Sequence, residues 1–151
     1  MSARSGDRRE ERYLDTLEAV IEDFGRIQRE FVLSKNGIRA VVRLIEEMSG
    51  TPPVFDLSDP VVQKGRKATF QVISELDRLG RVLASVRPPA AWERFHRTLL
   101  ESLGLQLDGY REMVLVFEDR SREHLRRGQR MVDQGLGRLA AGTRSVSAPS
   151  G

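Results

Sequence analysis

Residues 14–45 read LDTLEAVIEDFGRIQREFVLSKNGIRAVVRLI, and the spacing of their apolar positions decides the fold class. Leu14, Leu17, Ile21, Phe24, Gln28, Phe31, Lys35, Ile38, Val42 and Ile45 follow alternating steps of three and four residues, one helical face held in register for more than four heptads. Val20, Ile27, Val41 and Met48 widen the face beyond a two-residue seam, the pattern of a helix packed in a bundle. Only Gln28 and Lys35 interrupt the stripe, and Asn36-Gly37 follows at once. The pattern predicts either one continuous helix of about forty residues, roughly 60 Å long at 1.5 Å per residue, or a helix kinked at Asn36-Gly37.

Working outward, Ser49-Gly50-Thr51-Pro52-Pro53 stops this element, and Val54, Phe55 and Leu57 are expected to fold over one end of the core. Ser58-Asp59-Pro60 supplies cap residues and a first-turn proline for a second helix. Its stripe is Val62, Gly65, Thr69, Val72, Leu76, Leu79, Leu83 and Val86, and it ends at Arg87-Pro88-Pro89. A third stripe runs Trp92, His96, Leu99, Leu103, Gln106, Tyr110, Met113 and Phe117. Glu118-Asp119-Arg120-Ser121 then breaks the rise, with Asp119 or Ser121 capping a fourth helix that carries Leu125, Val132 and Leu139. Gly128, Gly135 and Gly142 recur on that helix at the same seven-residue step. Each costs about 1 kcal/mol relative to alanine, so three in register point to a groove into which another helix or a bulky ring fits.

Period-two alternation is absent. The expected fold is therefore all-α, an antiparallel up-and-down four-helix bundle with helices near 9–48, 59–86, 89–117 and 120–141. A single domain over 9–142 is expected, with residues 1–8 and 143–151 disordered.

The composition narrows function by exclusion. The chain has 151 residues, 39% apolar and 31% charged, which suits one globular domain. Zero Cys removes disulfide scaffolds, thiol chemistry and iron–sulfur clusters, and two His nearly remove a multi-histidine metal site. The opening residues are polar and no stretch has the length and apolarity of a membrane span, so a cytoplasmic protein is expected. The net charge of +3 does not by itself imply a nucleic-acid partner.

Glu93 and His96 stand in the Glu-x-x-His spacing of carboxylate-bridged metal bundles. Such a site needs a second pair, and Ser121 stands three residues before the only other histidine, His124. His96 therefore reads as a seam residue with Glu93 on the surface. No nucleophile spacing surrounds His124 and no Gly-rich loop follows a strand, so neither catalysis nor a cofactor is expected.

Between residues 120 and 144 seven arginines face only Glu123 and Asp133, a local balance of 7 − 2 = +5. Arg122, Arg126, Arg127 and Arg130 fall outside the seam and form a candidate partner or anion face. The same face can instead pair with the acidic first helix, through Glu10, Glu11, Asp15, Glu18, Glu22 and Asp23. Trp92, His96 and Tyr110 on the third helix are a candidate pocket, with core packing the commoner role for such rings. A continuous first helix would overhang the shorter ones and leave Ile38, Val42 and Ile45 as a dimer face, whereas a break at Asn36-Gly37 would let Ile38 to Met48 fold back over the bundle of their own chain. The leading expectation is a non-enzymatic binding or assembly module that meets a protein partner or itself, as a two-fold homodimer. A ligand-sensing bundle with an aromatic-lined pocket is the second reading, and weak nucleic-acid binding through the last helix the third.

Residues 59–142 carry Leu-x-x-Leu repeats, Pro88-Pro89, Trp92, Phe95-His96 with Leu99-Leu100, the acidic break Glu118-Asp119 and a final amphipathic helix. In that order they resemble a loosely defined set of uncharacterised bacterial helical-bundle proteins, many with lipoprotein or secretion signals. The resemblance implies an up-and-down bundle and no established activity. The polar opening of this chain departs from the export signals of that set.

Overall fold

A computed structural model of the chain describes residues 2–147, with side chains described from Asp7 to Arg144. Its elements are α1 (Ser2–Ile27), continued by a π turn (Gln28–Val32), then α2 (Ile38–Glu47), α3 (Pro60–Ala84), a 3-10 turn (Ala90–Trp92), α4 (Glu93–Val114), the short α5 (Val116–Asp119) and α6 (Arg122–Ser147). The fold is all-α, and no strand occurs among the described residues.

The first element is broken rather than continuous. The Leu33 N–H donates to the Gln28 carbonyl at 2.8 Å, the i to i+5 bond of a π turn, and the Gly37 N–H donates to Ser34 at 3.0 Å before α2 starts. Any larger residue than glycine fails at position 37, because a Cβ there would stand 2.5 Å from the Phe31 carbonyl oxygen. The π turn adds a residue to the helical count, so a single heptad register cannot describe both sides of it. On α1 the buried face is Tyr13, Leu17, Val20 and Ile27, while Ile21 is 52% exposed. The face is thus rotated from the one that Leu14, Ile21 and Gln28 would define. Tyr13 takes the inner place because its hydroxyl finds a partner there, 2.9 Å from His96.

α3 follows its spacing closely. Asp59 accepts from the Val61 N–H at 2.9 Å and the Val62 N–H at 3.4 Å, with Pro60 in the first turn. Val62, Gly65, Thr69, Val72, Leu76, Leu79 and Leu83 are all buried. α1 and α3 run antiparallel, since Asp23 pairs with Arg78 while Arg26, three residues on, pairs with Glu75 at 3.3 Å.

The glycine step on α6 fulfils its packing role. A Cβ on Gly128 would lie 2.4 Å from the Gly109 carbonyl oxygen, one on Gly135 2.7 Å from that of Ser102, and one on Gly142 2.9 Å from Thr98 Cγ2. Ascending positions on α6 meet descending positions on α4, so the two helices are antiparallel and nearly in backbone contact. Ser102 donates to the Gly135 carbonyl at 2.6 Å across this seam.

Between α5 and α6, Arg120 adopts the left-handed conformation at φ 59°. The loop between α2 and α3 covers the core as expected through Phe55, which packs edge-on against Phe117 at 6.3 Å. Val54 and Leu57 stay exposed. Helix extends through 2–8 and 143–147, segments expected to be disordered. Once nucleated, a helix propagates at little cost where no proline intervenes. Met1 and residues 148–151 lie outside the described residues. Among the described residues no helix is long and apolar enough to cross a membrane.

Candidate functional site

The break at Gly37 turns the expected dimer face inward. Ile38 is 3% exposed, Ile45 is fully buried and Val42 is half-buried, all against their own chain. The overhang from which that interface was inferred does not exist.

Trp92, His96 and Tyr110 do not form one pocket. His96 is buried; Tyr13 lies at its Nδ1 and the Leu83 carbonyl at its other side, so the ring donates to Leu83 and accepts from the Tyr13 hydroxyl. Burial pushes its pKa down despite the Leu83 bond. Trp92 donates to Glu10 at 3.2 Å and forms, with Phe95 and Gly142, part of an open cleft of about 570 Å³ between α4 and α6. Tyr110 stands fourteen residues farther along α4 than His96, about 21 Å away at 1.5 Å per residue. Burial pushes its phenol up to about 12, opposed by the neighbouring Gln28 amide. Glu93 is exposed while His96 is buried with its ring nitrogens toward Tyr13 and Leu83, so the Glu-x-x-His spacing brings no ligand pair together.

The four arginines of α6 divide. Arg122 donates to the carbonyls of Gly50 at 2.6 Å, Ile45 at 3.3 Å and Met48, binding the start of α6 to the end of α2. Arg127 pairs with Glu112 at 3.0 Å and Arg130 with Glu123 at 3.5 Å. Arg126 is exposed and makes no ion pair among the described residues. Within the chain no ion pair among the described residues joins them to the acids of α1; Asp23 is held by Arg78 and Arg26, which lower its pKa, and Glu10 accepts from Trp92.

Two arrangements escaped the spacing. His124 sits between carboxylates, with Nδ1 2.8 Å from Glu112 and Nε2 2.6 Å from Asp119. The bonds to Glu112, then Asp119, raise its pKa. Neither partner is recognisable from the sequence, since each comes from another helix. The second arrangement is a groove of about 120 Å³ where the π turn and α2 stand off from α4 and α6. Its floor includes Tyr110 and Met113, and its walls carry Leu33 and Arg39 on one side, Asp133 and Leu136 on the other. Leu33 is 52% and Leu136 37% exposed. Gln28, whose buried amide neighbours the Tyr110 phenol, also lines it. Gln28 on an otherwise apolar stripe was the one sequence signal pointing here.

No family model, curated protein or solved structure matches this chain.

Chemically, the histidines serve helix-to-helix contacts. What the surface offers is shape and charge: the groove beside the π turn, the cleft at Trp92 and an arginine-lined cavity at the start of α6.

Proposed function

We propose that the chain is a non-catalytic assembly module, an up-and-down four-helix bundle with a kinked first helix, which pairs with a second copy through the groove between α2 and α6. The observation that carries this reading is the pair of half-exposed leucines, Leu33 and Leu136, on the rims of one small groove of mixed polar and apolar lining. A cavity near 150 Å³ accepts a group as large as benzene, so one of about 120 Å³ has room for a leucine side chain beside Val32, Val42 and Val132. Arg39 and Asp133 mark opposite walls, so a two-fold axis brings Arg39 of each copy toward Asp133 of its partner. Light scattering across a dilution series tests it: the expected mass is twice 17.1 kDa at high micromolar concentration. Leu33→Glu and Leu136→Glu should return the protein to monomer with its helical spectrum intact. A parent that is monomeric throughout overturns the reading.

The cleft at Trp92 favours a second reading, a bundle that senses a small aromatic ligand. Trp92 is the only tryptophan, so its fluorescence reports any occupant. The pairing of Arg127 and Arg130 and the carbonyl contacts of Arg122 leave no continuous cationic stripe in support of nucleic-acid binding.

A further inference from the structure

Positive charge gathers where α6 begins. Arg120, Arg122 and Arg126 line an open cavity of about 430 Å³ together with Thr51, Pro52 and Pro53. That volume lies within the range of small-molecule sites. Asp119 and Glu123 also line it, but both are engaged with other groups. Asp119 accepts from the Ser121 N–H at 2.9 Å through one oxygen and faces His124 at 2.6 Å through the other. Glu123 is held by Arg130 at 3.5 Å.

Each arginine contributes differently. Arg122 directs its donors to the carbonyls at the end of α2, so it supplies charge and fixes one wall. Arg120 is set by its left-handed backbone with its guanidinium over the Phe55 ring, 5.3 Å from the centroid. Arg126 brings an exposed guanidinium with no carboxylate partner among the described residues. A planar guanidinium presents paired donors that match the oxygens of a tetrahedral anion.

We propose that this cavity binds a phosphate-type oxyanion, free or as the terminal group of a phosphomonoester, through Arg126 and Arg120 with the Thr51 hydroxyl beside them. The site lies apart from the groove at Leu33 and Leu136 and does not depend on pairing of two chains. A nucleic-acid backbone fits it poorly, because the neighbouring Arg127 and Arg130 are committed to Glu112 and Glu123.

The test titrates the full chain with inorganic phosphate, glycerol phosphate and a short DNA duplex, each against sodium chloride at matched ionic strength. Arginine Nε–H signals are followed by NMR. Saturable shifts at Arg126 and Arg120 with phosphate or glycerol phosphate are expected, and the tighter of the two identifies a free or an esterified anion. Arg126→Gln should weaken binding by about tenfold or more, whereas Arg130→Gln should leave it unchanged. Because Arg126 is exposed, its variant keeps the fold, which the circular dichroism spectrum checks. Shifts no larger than with chloride overturn the proposal. So does binding that survives Arg126→Gln, or a duplex that binds more tightly than both small phosphates.

Discussion

The hydroxyl of Tyr13 meets Nδ1 of His96 at 2.9 Å across 83 residues of sequence, and this contact ties α1 to α4 inside the core. Tyr13 is 2% and His96 7% exposed, so neither has water to fall back on. Tyr13→Phe should cost about 1–3 kcal/mol, the range for a buried polar group left without its partner. His96→Leu should cost a similar amount, since it strands the Tyr13 hydroxyl, while the Leu83 carbonyl keeps the Val86 N–H at 3.3 Å. In the double variant the loss should be clearly less than the sum, as urea denaturation would measure. Additive losses would show that the contact contributes nothing of its own.

The two histidines pull the pH dependence of stability in opposite directions. Buried His96 has a lowered pKa, so the unfolded chain binds its proton first and stability falls as pH drops below about 6.5, the ordinary imidazole value. His124, held by Glu112 and Asp119, has a raised pKa. Its contribution is present below about 6.5 and is lost as pH rises through the folded value. A stability maximum between the two limbs is expected in denaturation midpoints against pH. His124→Gln should remove the alkaline limb alone, and a parent curve flat from acid to alkaline would contradict both assignments.

Glycines on α6 should respond to alanine in opposite senses. At Gly128 an added Cβ would stand 2.3 Å from Met113 Cγ and 2.4 Å from the Gly109 carbonyl, so Gly128→Ala should destabilise by about 1–3 kcal/mol. At Gly137 nothing lies within 4 Å, and Gly137→Ala should stabilise by up to about 1 kcal/mol through helix propensity. Thermal unfolding of the two variants, nine residues apart on one helix, checks the sign.

Arg122→Met removes the donors that reach the carbonyls of Ile45, Met48 and Gly50. A loss of about 1–3 kcal/mol is expected, since the half-buried carbonyls lose a charged partner. Hydrogen exchange should accelerate in α2 and the loop after it while α3 and α4 stay protected. Uniform acceleration over the whole chain would show that the tie is global rather than local.

What could be read from spacing follows from helix geometry. The α3 stripe from Val62 to Leu83 and the α4 stripe from His96 to Met113 are buried as their steps predict, because both helices are uninterrupted and each turn repeats the last. The step of Gly128, Gly135 and Gly142 likewise marks the α4 contact. The first element resisted the same reading because its apolar steps continue smoothly across Gln28–Val32, where the backbone takes on an extra residue. Nothing in the residue types at 28–32 marks a π turn. Asn36-Gly37 did mark the place where continuity was in question. The fates of the α6 arginines were hidden for a different reason: Glu112 and the carbonyls at the end of α2 come from elements distant in sequence, and helical periodicity says which face a side chain occupies but not what arrives opposite it.

The reach of Arg122 back to Ile45 spans 77 residues, and it bears on how the protein is made. α2 has only ten residues, too few to persist as a helix in water without outside support. A ribosome produces the carbonyls at its end long before it produces the guanidinium that binds them. During translation α1, α2 and α3 can already associate, with Val41 of α2 seated against Gly65 of α3. Release of α6 then brings the charge that fastens the end of α2, so one of the first segments to emerge receives its final tie from the last helix made.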